Sequence, residues 1–193
     1  MKNFLLRSIM IVIFVSLIGC QQNTTQTENL NTKAEAKVET KADMVGFVEP
    51  EPSDWVKYTK SVREYMYYRT KAVVNKDINI LWEHYPELKD NTDRKQGVNI
   101  EKDEVESLNQ DFDLLDANYN IESYEPMKVK TINDNEVVVL IHGSIIYLRN
   151  DFDESGGEYL MKVFLELKNN HWTVVRTDEY TLPEYKEWLK EKE

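Results

Sequence analysis

The spacing of apolar residues changes once along this chain, and that change limits the fold more than any other feature. Up to Leu115 apolar side chains recur three and four apart, as on one face of a helix; beyond Asn118 they recur every second residue, as on one face of a strand. Trp55, Tyr58, Val62, Tyr65, Met66 and Val73 predict a long first helix, capped by Ser53 or Asp54 and broken at Asn75. Asp77 caps a short second helix with Ile78, Leu81, Trp82 and Tyr85 on one side, stopped before Pro86. Polar residues 87–99, with Gly97, read as a loop. Val105, Leu108, Phe112 and Leu115 then mark a third helix.

The alternating part divides into four strands. Tyr119 to Thr131 is the first, kinked at Pro126, and Asn133-Asp134-Asn135 turns the chain because Asn and Asp tolerate positive φ. Glu136 to Arg149 is a long second strand. Asp151 to Gly157 is a loop, Glu158 to Lys168 the third strand, Asn169-Asn170 a tight turn, and Trp172 to Thr177 the fourth. Thr181-Leu182-Pro183-Glu184 reads as a capping box opening a short C-terminal helix that carries Leu182, Tyr185, Trp188 and Leu189. The expected class is α+β: three N-terminal helices packed on a four-stranded antiparallel sheet, with a short helix at the end.

The second predicted strand is apolar on both faces. Val137, Val139, Ile141, Ile145 and Tyr147 alternate with Val138, Leu140, Ser144, Ile146 and Leu148. Both faces therefore need cover, and the C-terminal helix or a second copy of the chain, giving a homodimer through the sheet, is the expected cover on the outer side.

Element order in residues 54–193, with a short second helix ending Leu81-Trp82-Glu83-His84-Tyr85-Pro86, resembles the nuclear transport factor 2-like superfamily, which includes ketosteroid isomerase and scytalone dehydratase. The resemblance implies a curved sheet wrapping the helices into a cone with a pocket at its open end. A cystatin-like sheet around one helix is the alternative, but it has no place for the second and third helices.

The N-terminus carries a different message. Lys2 and Arg7 precede an apolar run from Ile9 to Ile18, too short for the ~20 residues that span a bilayer and of the length of a secretory signal. The run ends Leu17-Ile18-Gly19-Cys20, and this tetrad resembles the lipobox of bacterial lipoproteins, with the chain's sole cysteine where the lipobox requires it. The resemblance implies diacylglycerol transfer to Cys20 and cleavage between Gly19 and Cys20. Residues 1–19 would be the signal peptide and 20–53 a tether. The domain would stand on the outer face of the cytoplasmic membrane, with Asn, Lys, Glu and Ile richness suggesting a Gram-positive source. The tether, sparse in apolar residues and closing Glu49-Pro50-Glu51-Pro52, has a reach on the order of 30 Å.

Composition excludes several classes. With 24 Lys and Arg against 35 Asp and Glu, the net charge of −11 disfavours nucleic acid, whose phosphates need clustered cations. A single Cys excludes an internal disulfide and a multi-cysteine metal site. His84, His142 and His171 lack metal-ligand spacing, so no metal and no cofactor are expected. Asp151 to Gly156 resembles the start of a calcium loop, but its twelfth position is Lys162 on a strand, and a hairpin loop is the better reading.

His142, on the apolar strand, is the candidate base if it points into the cone, where Asp111 or Asp113 would tune it; a core histidine satisfied by one hydrogen bond is the simpler alternative. Tyr58, Tyr65, Tyr67, Tyr68, Tyr119, Tyr124 and Tyr147 supply possible donors, with nothing to say which of them face a cavity. Three functions follow: a non-enzymatic binding or interaction module, an isomerase or dehydratase with a pocket in the cone, and a structural envelope spacer. Cys20→Ala is expected to abolish metabolic labelling with palmitate; a labelled variant would refute the lipobox reading.

Overall fold

In the computed structural model, residues 46–93, 97–121, 127–180 and Lys190 are described. Chain contacts divide the protein into Met1–Glu39 and Thr40–Glu193, and every described residue lies in the second unit. The expected signal peptide, the expected lipobox and the expected tether as far as residue 45 lie outside the described residues, as does the expected helix at 181–189.

Among the described residues from 46 to 180, helix is confined to one N-terminal region. The long helix α1, Pro52–Val74, buries Tyr58, Val62, Tyr65, Met66 and Val73 along one face. Its start differs from expectation: neither Ser53 nor Asp54 caps it. Pro52 occupies the first turn, where its missing N–H costs nothing, and Glu51 precedes it without a side-chain cap. Asn75 closes the helix, its backbone N–H and its side-chain amide both donating to the Lys71 carbonyl. Helix α2, Asn79–His84, is a six-residue piece, and Pro86–Asp90 is a 3-10 turn inside the stretch expected to be loop. Helix α3, Ile100–Ser107, is capped by the Asn99 side chain, which accepts from the Lys102 N–H at 2.9 Å. It stops before Phe112 and Leu115. Phe112 instead lies against the Arg149 guanidinium, 3.4 Å from the ring centroid, and Leu115 is in a strand.

The expectation of three N-terminal helices on a four-stranded sheet is corrected. Among the described residues there is one helix of substantial length, and the antiparallel sheet has five strands. These are β1 (Leu114–Ile121), β2 (Lys128–Asn133), β3 (Glu136–Arg149), β4 (Glu154–Lys168) and β5 (His171–Glu179). The predicted first strand is two strands, β1 and β2, and both pair with β3. The reason is length: β3 has 14 residues, enough to hold β2 along 136–140 and β1 along 143–149, one after the other. β4 pairs with nearly the whole of β3, and β5 follows it after a turn in which Asn169 and Asn170 both take positive φ.

The two faces of β3 are covered by different means. Val137, Val139, Ile141, Ile145 and Tyr147 join Met161, Val163, Leu165 and the buried face of α1 in the main core. Tyr58 meets Trp172 edge-on at 5.4 Å, and Ser61 Oγ donates to the Trp172 carbonyl at 2.7 Å, tying α1 to β5. On the outer face, Leu140 and Leu160 form a second small cluster covered by Phe47 and Tyr180. Residues 46–51, read from sequence as tether, thus belong to the fold. Val48 exchanges two backbone hydrogen bonds with Val129 at 2.9 and 2.8 Å, and Glu49 pairs with Lys128 at 2.8 Å.

Gly143 marks a tight point of the sheet. Tyr159 crosses it to donate its hydroxyl to the Asn120 carbonyl at 3.3 Å. A Cβ on Gly143 would lie 2.1 Å from that carbonyl oxygen and 2.5 Å from the Tyr159 hydroxyl. Gly143→Ala is therefore expected to lower stability by about 2–3 kcal/mol, the range for overpacked cores, as a shift of the urea midpoint.

Candidate functional site

The site begins with a charge on an otherwise apolar stripe. Arg69 follows Val62, Tyr65 and Met66 on the buried face of α1, and its side chain is only 4% exposed. A buried guanidinium requires anionic partners, and two arrive from different elements. Its Nε donates to Glu104 Oε2 of α3 at 2.5 Å, and its second terminal nitrogen lies 2.5 Å from Glu179 Oε1 at the end of β5. The contact with Glu179 is an ion pair without hydrogen-bond geometry. The remaining nitrogen donates to the Tyr65 hydroxyl at 3.3 Å.

A third carboxylate lies behind these two. Glu101, 1% exposed, has no cation against it in the hydrogen-bond network; its oxygens accept from Tyr65 Oη at 3.2 Å, Asn91 Nδ2 at 2.9 and 3.0 Å, and Thr177 Oγ1 at 2.7 Å. Tyr147 donates to Glu104 Oε1 at 3.0 Å. α1, α3, β3 and β5 therefore meet in one polar network beneath the sheet. One arginine faces three glutamates in it, an excess of two negative charges when all are ionised.

This network borders an open cavity of about 420 Å³, a size in the range of small-molecule sites. Arg69, Glu104 and Glu179 form its charged part; Tyr147, Tyr159 and Tyr180 supply aromatic surface; Ile100, Leu108 and Ile145 supply apolar wall. Gly156 and Gly157 line it from β4, and a side chain at Gly157 would enter open space.

Burial and neighbours shape the proton equilibria. Burial raises the Glu179 carboxyl; Arg69 opposes this, while Glu104 and Glu101 reinforce it. Burial also pushes Tyr65, Tyr147 and Tyr159 above the ordinary phenol range. For Arg69 burial acts to lower the pKa, and Glu104 and Glu179 outweigh it, so its pKa is raised and the guanidinium stays charged.

Of the residues singled out from sequence, Tyr65 and Tyr147 belong to this network and Tyr147 lines the cavity, whereas the candidate base and its acids lie elsewhere. His142 is buried, but it shares the outer face of β3 with Leu140 and pairs across from Leu160, so its parity is opposite to that of Ile145 and Tyr147 at the cavity. Asp111 is exposed, and Asp113 forms an exposed ion pair with Lys76. The structure does not bring His142, Asp111 and Asp113 together in the cavity. Tyr124 lies outside the described residues. Arg69, Glu101, Glu104 and Glu179 were not singled out. A signal existed for the first three: Arg69 interrupts an apolar helical stripe, and Glu101 and Glu104 share a helix face with Val105 and Leu108. Among the described residues, no group of three or more His, Cys, Asp and Glu could hold a metal ion, and no helix is long and apolar enough to cross a membrane.

No family model matches the chain, and no curated protein matches it. Solved structures similar to it include Aln2 from a Streptomyces species, 9% identical with a TM-score of 0.49, covering 76% of this chain and 100% of that one. The association domain of C. elegans CaMKII is 14% identical with a TM-score of 0.45, over 68% and 100% of the two chains. A nuclear transport factor 2-like superfamily protein from Salmonella enterica is 10% identical with a TM-score of 0.44, over 66% and 92%.

Two variants test the network. Arg69→Met leaves Glu104 and Glu179 without their cation and is expected to cost about 3–5 kcal/mol at neutral pH, measured by urea unfolding, with part recovered in acid. Glu179 binds its proton more tightly in the folded chain than its ordinary value of 4.5, so its contribution to stability is full below that pH and is lost as pH rises through the folded value. Glu179→Gln is expected to flatten that decline in the melting temperature above about pH 4.5; an unchanged slope would place the titration elsewhere.

Proposed function

We propose that this protein is a lipoprotein anchored on the outer face of the cytoplasmic membrane, whose folded unit is a non-enzymatic module for a small molecule. Cys20 carries the lipid after cleavage at Gly19, and the residues that follow the cysteine set the unit away from the bilayer. The proposed anchoring rests on the tetrad Leu17-Ile18-Gly19-Cys20 and on the chain having a single cysteine. Two acyl chains suit stable attachment, since each buried methylene adds ~0.8 kcal/mol and one chain alone binds only marginally.

The observation that carries the binding reading is the open 420 Å³ cavity with a charged, internally braced floor. Glu104, on the cavity wall, is held from two sides by Arg69 and Tyr147, and Arg69 in turn by Glu179. Groups so restrained present a fixed recognition surface, which limits the ordering cost of binding. A small-molecule isomerase or dehydratase is the second reading. It is favoured by Glu179, which reaches the cavity, is held by an ion pair rather than a hydrogen bond, and binds its proton more tightly than an ordinary carboxylate.

Gly157→Trp distinguishes these from a spacer without a ligand. A fragment library screened by ligand-observed NMR against the full chain is expected to give hits that Gly157→Trp removes at unchanged melting temperature. Hits that survive the substitution would move the site out of the cavity. Turnover of a bound fragment, lost in Glu179→Gln, would select the enzyme.

A further inference from the structure

We propose that the cavity is selective for an organic cation with N–H donors, a primary amine or a guanidinium attached to a short apolar body. This rests on the reading of the cavity as a small-molecule site.

The first ground is the state of Arg69. A pocket arginine is the usual partner for a carboxylate or phosphate ligand. Here all three guanidinium nitrogens are engaged, by Glu104, Glu179 and Tyr65. An anionic ligand would have to displace one of these carboxylates and would then lie beside it.

The second ground is the charge left over. Among the described residues, Arg69 cannot neutralise Glu104 and Glu179 together with Glu101 behind them, and Asp103 lines the cavity beside Glu104 and Glu179. Excess negative charge in a partly desolvated site is relieved by a bound proton or a bound cation. The Glu179 carboxylate, whose Oε1 lies against Arg69, reaches the cavity wall. A ligand N–H could donate to it directly.

The third ground concerns the rest of the wall. Tyr147 and Tyr159 spend their hydroxyl protons on Glu104 and on the Asn120 carbonyl. What they offer a ligand is ring surface, which attracts cations and packs against apolar groups. Ile100, Leu108 and Ile145 complete an apolar side suited to the ligand's body. A bare metal ion fits less well, since among the described residues the acids do not converge as a ligand set.

Phenethylamine, phenylethanol and phenylacetate share one body and differ in charge, so calorimetric titration of the full chain with each tests the proposal. Phenethylamine is expected to bind at least tenfold more tightly than phenylethanol, with phenylacetate weakest, and the order should persist at 0.5 M salt, where attraction to the acidic surface is screened. Glu179→Gln should weaken the amine at least tenfold, and Gly157→Trp should abolish its binding. Phenylethanol or phenylacetate binding as well as the amine, in a manner lost in Gly157→Trp, would overturn the cation assignment and leave the cavity reading intact. Absence of amine binding would overturn the assignment too, with the fragment screen deciding the cavity separately. Amine binding unaffected by both substitutions would count against both readings.

Discussion

Strand β3 must be covered on both faces over a length that no single partner spans, and most of the architecture answers that requirement. Its 14 residues are apolar on alternate sides. The inner side is met by α1, the outer side in part by Phe47 and Tyr180, one edge by β2 and β1 in succession, and the other by β4. Burial at about 25 cal/mol per Å² of apolar surface favours filling the inner face wherever a helix reaches it. Toward the β1 end, Ile145 and Tyr147 instead face the cavity, with α3 across from them. The pocket lies where a long strand and a short helix leave the core unfilled.

That end of the molecule is held by polar contacts. Arg69 links α1 to α3 and to β5, Tyr147 links β3 to α3, and Glu101 links α3 to α1, to β5 and to Asn91. A buried pair of this kind is weak evidence for net stability, because desolvation offsets much of the attraction. Removing one partner is costly for the same reason. The network is better understood as fixing the relative position of four elements while keeping Arg69, Glu104 and Glu179 at the cavity wall.

How much of this was legible in the sequence depends on how local the information is. The long helix could be read because its stripe repeats from Tyr58 to Val73, and the turn at Asn169-Asn170 because its residues favour the required φ. The number of strands could not. Tyr119 to Thr131 alternates without a break apart from Pro126, and its division into β1 and β2 is decided by where each meets β3. The third helix was overextended because Phe112 and Leu115 keep helical spacing by coincidence, one lying on Arg149 and the other starting a pairing. His142, the candidate base, lies on the opposite side of β3 from Ile145 and Tyr147, which line the cavity. The actual cluster draws on positions 69, 101, 104 and 179, whose convergence is a property of the folded chain alone.

The bridge between Val48 and Val129 sets how load enters the domain. Tension applied along the chain from its N-terminal side reaches the two backbone hydrogen bonds of that bridge, and the Phe47 contact on the outer face, before it reaches α1. Peeling this short segment would lengthen the connection before the Arg69 network is loaded, and it would strip Phe47 from the cluster that also holds Tyr180, a residue of the cavity wall. Under such tension the segment would part before α1 is loaded.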